Sequence, residues 1–486
     1  VPSGKQEHHR IDVADGWGIV IILKSYMGTR YGNETANTAF FGLIGVSRRE
    51  INPPLGIYAR NWGAGSTDIS VGFHRPLTLT CLTFQTYAGE QPLVLIGADL
   101  GWWKSAADEL KLRKGILDSL GLEESRLMFC LSHTHAGPSL STADADKPGG
   151  EWVEPYLGQL KEKAVDAVLE ALNAAALSTL EWRYGTCDLA TNRDLPIEQE
   201  RRVVVGFNPT AEADDTLLIG RVTDADGNVT ATLVNYACHP TTLAWDNRLL
   251  SPDYVGAMRE LVESRTGGLV LFLQGASGEL APAEQYVGDT EVADAHGRRL
   301  GYAVLATLEG MGNKETILNY SHVVESGASL AVWNRRKMAP SAQIAAVRSQ
   351  VAMRLKDMPT LSEIEAQWLA CTDLVLKERL WRKKEIRKTV GEGDTSAMPL
   401  WVWRIGNACL VGQPNEAYSG YQQSVRAACA PVPVSVINIV NGYAGYLPPE
   451  DRYGDDMYAV WQTPFAAGAL EQLEKQTIDL LKQILS

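Results

Sequence analysis

Leu127-Met128-Phe129-Cys130-Leu131-Ser132-His133-Thr134-His135-Ala136-Gly137-Pro138 is the stretch on which the fold turns. Its first five residues form a short apolar run that reads as a fully buried strand. The run leads straight into two imidazoles two residues apart. In an extended chain residues i and i+2 point to the same side, so both rings are expected to face one pocket. Neutral imidazole suits a borderline cation such as zinc, which makes the pair a candidate metal site.

Upstream, Leu93-Val94-Leu95-Ile96 reads as another buried strand, ending at Asp99. Between the two strands, Ser105 with Asp108 three residues later marks a helix start, and Gly121 marks its stop. Strand, helix, strand is a β-α-β unit, whose strands are expected to run parallel. The same order recurs downstream. Residues 229–238 read as a strand ending at His239-Pro240, Ser251-Pro252-Asp253 caps a helix running to Gly267, and residues 269–274 form the next strand. A third copy has a strand over 407–411, then Gln413-Pro414-Asn415-Glu416, a helix over 417–428 and a strand over 434–440 that runs out into Tyr443-Ala444-Gly445-Tyr446.

The expected fold is therefore α/β: several β-α-β units forming a mixed sheet flanked by helices, with a helical insertion. Ligands bind outside the carboxyl ends of the strands in open α/β sheets. Here one sheet edge would carry Asp99, His133, His135, His239, Glu416 and Tyr446. Residues 329–395 break the rhythm. They are rich in Ala, Leu, Arg, Lys and Glu, and read as two long helices around Met358-Pro359-Thr360. They are taken as an insertion into a single elaborated catalytic domain spanning 1–486, placed to cover the pocket or to join copies in a homo-oligomer. The basic run from Lys377 to Lys388 reads as a solvated helix face.

Composition narrows the function. A net charge of −13 over 486 residues argues against a nucleic-acid partner. No apolar run is long enough for a transmembrane segment. The seven cysteines lack CxxC spacing. Cys81, Cys130, Cys238 and Cys409 lie in strand-like runs, as small buried hydrophobes of a cytoplasmic protein do. The chain opens on Val1 rather than Met, which leaves a processed N-terminus and export open.

Each candidate has a plainer reading. His133 or His239 can be a core ring bonded to a backbone carbonyl, and Glu416 can merely cap a helix. Tyr446 reads as a packed aromatic, since tyrosine is not a common zinc ligand. His8, His9, His74, His296 and His322 have no companions and are read as structural. Gly275-Ala276-Ser277-Gly278-Glu279 fails the G-x-S-x-G spacing of a serine hydrolase.

Taken in order, the motifs resemble the catalytic domain of the neutral (non-lysosomal) ceramidases, zinc-dependent amide hydrolases. The resemblance is carried by residues 51–56, Gly72-Phe73-His74-Arg75-Pro76, residues 132–138, Asn192-Arg193, His239-Pro240-Thr241-Thr242, residues 278–282, Pro414-Asn415-Glu416, and residues 443–446 with Tyr458. It implies zinc ligands at His133, His239, Glu416 and Tyr446, and catalytic residues at His135, Arg193 and Tyr458. Ala281 stands where that family has a serine, which puts ceramide itself in doubt as the substrate. The chain also ends soon after the catalytic region, so the family's C-terminal immunoglobulin-like domain is not expected. The resemblance implies metal-activated water attacking an amide in a small-molecule or lipid-like N-acyl substrate. An esterase on the same site and a non-catalytic binding protein are the alternatives.

Overall fold

The computed structural model describes residues 39–486; His8 and His9 lie outside them. The first two β-α-β units fall at opposite edges of an eight-stranded sheet. Its order is Leu269–Gln274, Val229–Tyr236, Thr216–Thr223, Ala176–Thr186, Ala39–Glu50, Thr78–Gln85, Leu93–Ala98, Leu127–Leu131. Only the outermost pair at each edge is parallel, as helical crossovers require, and every pair between is antiparallel.

The third unit corrects the expectation of one sheet edge. It belongs to a second sheet, ordered Ile344–Arg354, Thr395–Ile405, Ala408–Gly412, Val434–Ile437, with only the last pair parallel. The two sheets face each other across a shared core that includes Met128, Leu271, Leu273, Trp401, Trp403 and Leu410. Trp401 and Trp403 are fully buried yet satisfied, donating Nε1–H to the carbonyls of Glu124 (2.9 Å) and Ser125 (2.7 Å).

Residues 438–441 tie the three parallel edges together. The Asn438 N–H donates to Gln274 O at 2.9 Å, and the Leu131 N–H donates to Ile439 O at 3.2 Å. The Asn441 side chain accepts from Phe129 N (2.8 Å) and donates to Leu127 O (2.7 Å). Ile439 adopts a φ of 57°, a costly conformation for a β-branched residue, and bonds on both sides hold it there. This stitch brings the ends of strands from two sheets to one place.

Helices cover the outer faces. Val153–Asn173 lies so close to Ala39–Glu50 that a Cβ on Gly45 would sit 1.8 Å from Ala171 O, so only glycine fits there. Ser419–Cys429 and Ala469–Leu485 back the smaller sheet through Tyr421, Val425, Leu470 and Leu473. Ser105 and Gly121 cap the helix Ala106–Leu120 as expected. The helix Tyr254–Thr266 is capped within the expected Ser251-Pro252-Asp253 segment, by Asp253, whose N–H donates to Ser251 Oγ. All seven cysteines are free, and only Cys371 is not buried.

The helical reading of 329–395 needs correction in its first half. Ser329–Lys337 pairs with Thr316–Glu325 as a hairpin, and Ile344–Arg354 pairs along its whole length with Thr395–Ile405. Its Ala, Arg and Gln content favours helix, but Val351 and Met353 alternate into a core shared with the neighbouring strand, and that packing wins. Helices follow at Leu361–Ala370, opened by a Thr360–Glu363 capping box, and Leu374–Val390. The described residues, 39–486, belong to one compact unit. Among the described residues no helix is long and apolar enough to cross a membrane.

Candidate active site

The strand Leu127–Leu131 ends before the histidines, and His133 takes a φ of 69°. Both rings reach one pocket, though through a turn and not through the strand alternation expected from the sequence. The His133 Nδ1 lies 3.2 Å from Gly101 O. His239, at the end of the second unit, repeats the device, with Nδ1 at 2.7 Å from Ser277 O and 3.1 Å from Leu280 O. A ring that gives Nδ1–H to a carbonyl turns the lone pair of Nε2 outward. Both outward nitrogens meet one atom, Glu416 Oε2, at 3.3 Å from His133 and 2.8 Å from His239.

Glu416 reaches this point from a short strand, Glu416–Ala417, paired in parallel with Tyr446–Leu447 so that Glu416 stands beside Tyr446. Its other oxygen accepts from Tyr443 Oη at 2.8 Å. Burial alone would raise the carboxyl, but His133 and His239 outweigh it and hold Glu416 well below the carboxylate range. Burial, with Arg193 adding to it, pushes His239 down to about 4. Tyr446 Oη accepts from Arg193 Nη2 at 2.9 Å, and Arg193 is anchored by donating to Gly278 O at 2.7 Å.

His135 differs from the other two. One ring nitrogen from each of His133, His135 and His239 lies within 4.8 Å of the others, a group able to hold a metal ion. Yet neither nitrogen of His135 has a hydrogen-bond partner, and none fixes its tautomer. The Nε2 of His133 is likewise without one. Trp62 and Trp102 flank the His135 ring at centroid distances of 5.0 and 4.9 Å. Burial first, then His133 and His239, push its imidazole well below the usual range.

These groups open onto a cavity of about 470 Å³, to which His133, His135, Arg193, Glu416, Tyr446 and Tyr458 all contribute. Tyr458 packs edge-on against Tyr446 at 5.6 Å and accepts from Arg382 Nη1 at 3.2 Å. Asp99 does not join them; it is buried in bonds to Thr78 and Arg259. His74 bonds Ser251 and Asp294, and His296 bonds Thr242, as structural histidines do. Ala281 is fully buried in the strand Leu280–Pro282, outside the cavity lining.

Two solved structures superpose on nearly all of this chain. One is the neutral ceramidase from Pseudomonas aeruginosa, with a TM-score of 0.66 and 16% identity over 92% of this chain and 74% of that one. The chain has the neutral ceramidase fold. The other, described as ceramidase complexed with C2, gives a TM-score of 0.65 at 15% identity, covering 91% of this chain and 76% of that one. No protein-family model and no curated protein matches the sequence.

On this ceramidase fold, reading the sequence missed several groups that shape the site. Tyr443, in the same motif as Tyr446, donates its hydroxyl to Glu416 at 2.8 Å. The helix wall was also missed: Val375, Glu378, Arg379 and Arg382 line the cavity. Their spacing of i, i+3, i+4 and i+7 was a signal of one helix face. Nothing in the sequence pointed to Trp62, Trp245 or Tyr286, which come together from separate loops.

Proposed function

We propose that this protein is a zinc-dependent hydrolase of amide bonds in N-acyl compounds. The observation that carries the reading is the meeting of His133 and His239 Nε2 on Glu416, with unpartnered imidazole nitrogens around it. Buried polar atoms without partners are costly, and a cation that takes up their lone pairs relieves the cost. Donors about 2.0–2.1 Å from a tetrahedral zinc stand roughly 3.3 Å apart, the separation found between His133 and Glu416, while His239 lies closer to Glu416, at 2.8 Å. The donor set therefore fits zinc, with His133, His239, Glu416 and Tyr446 as the holding residues. His135 is left out of that set because no backbone carbonyl orients it as one orients the other two. When bound, such an ion supplies Lewis acidity and lowers the pKa of its water to roughly 7.

The chain's own residues do the rest. His135, neutral and uncommitted at both ring nitrogens, accepts a proton from the attacking water and returns it to the leaving nitrogen. Tyr458 receives the Arg382 N–H and so keeps its own hydroxyl proton to offer the carbonyl oxygen. Arg193 fixes Tyr446 and places a permanent positive charge behind it. Trp62 and Trp102 hold the His135 ring and keep bulk water off it. Elemental analysis together with an amide and ester panel tests the reading. Amide turnover that disappears on chelation and returns with zinc is expected. Zinc-independent turnover, or ester turnover alone, would overturn it.

A further inference from the structure

The helix Leu374–Val390 forms one wall of the cavity, and its charges are unequally matched. Arg382 uses each of its three nitrogens, donating to Glu378 Oε1 (3.0 Å), Tyr458 Oη (3.2 Å) and Asn61 O (2.8 Å). Glu378 is thereby neutralised, and Glu416 is held by His133, His239 and Tyr443. Arg379, three residues earlier on the same helix, is exposed and lies over the Trp461 ring at 5.8 Å, and among the described residues it has no carboxylate partner. An uncompensated cation on the cavity lining is not the background of a chain whose net charge is −13. The other wall is apolar: Trp245 and Tyr286 stack at 5.9 Å, with Trp62 edge-on to both. Both walls flank His135, so a bound amide has an apolar side and a cationic side.

Resting on the amide-hydrolase reading, we infer that the substrate is an N-acyl amino acid. Its alkyl chain lies on the Trp62–Trp245–Tyr286 wall and its free carboxylate on Arg379. In the reaction water adds to the acyl carbonyl carbon and the C–N bond breaks with its electron pair on nitrogen. The nitrogen then takes up a proton, releasing a fatty acid and an amino acid.

The test separates recognition from turnover. Calorimetry on the chelator-treated protein compares N-decanoylglycine with its neutral counterpart, N-decanoylglycinamide. The acid is expected to bind about ten-fold more tightly, the scale of one charge-assisted contact. Arg379→Gln should erase that preference, whereas Lys383→Gln, on the same helix but outside the cavity lining, should keep it. Equal affinity for the two ligands, or a preference that survives Arg379→Gln, would overturn the inference. Zinc-loaded protein then tells the two readings apart. Equal binding and turnover of both compounds would refute the carboxylate site and leave the amidase intact. Arg379-dependent binding without turnover would support the site and refute the amidase.

Discussion

At the strand ends His133 and His239 each fix a ring nitrogen on a backbone carbonyl, and Glu416 is gripped at both oxygens. On the facing helix, Arg382 is held mainly by other side chains, and Arg379 by a single ring. The first wall is tied by its rings and carboxylate to backbone carbonyls and neighbouring side chains at the ends of the strands. The second can change one side chain at a time. The difference suggests a division of labour, with chemistry set by the backbone-anchored wall and selectivity by the helix.

The strongest attempt to break this division is His239→Ala. It removes a ligand and leaves Glu416 buried with less neutralisation. We expect zinc to fall out and turnover to drop by about a thousand-fold or more, the several kcal/mol that a Lewis acid supplies. Metal content unchanged by elemental analysis would dismiss His239 as a ligand. Next is His135→Ala, which should retain zinc while losing on the order of 100- to 10,000-fold in turnover. If it loses the metal instead, the three-histidine set replaces the one proposed here.

Tyr443→Phe sharpens the comparison without removing a ligand. It deletes the hydroxyl that orients Glu416, and zinc affinity should fall about 10- to 100-fold, as for other supporting contacts of metal sites. Competition with a chelator of known affinity measures this, and wild-type affinity would show that Glu416 needs no such support.

The smallest effect concerns stability. Glu279 is buried, accepting from the N–H and hydroxyl of Ser419, and burial pushes its carboxyl up to about 7 from 4.5. Between those values the folded protein keeps a proton that the unfolded chain has lost. This group's contribution to stability therefore declines as pH rises through that window. Glu279→Gln should flatten the decline in Tm, and a slope identical to wild type would assign the titration elsewhere.

Much of this was legible in the sequence because it is local. Ser105 and Gly121 bound a helix by capping chemistry, and the apolar runs ending at His133 and His239 named strands whatever they pack against. The β-α-β rule brought His133 and Glu416 to the same strand ends, but their assignment as joint metal ligands was reached only through family resemblance. Residues 344–354 were misread because their helix propensity yields to partners visible only after folding. The sequence by itself determined the β-α-β units and the types of group at their ends. Tertiary structure alone decided that residues 438–441 would gather ends from two sheets, that His135 would stay uncommitted, and that Arg379 would line the cavity. Those outcomes depend on long-range hydrogen bonds and packing, which composition and spacing do not encode.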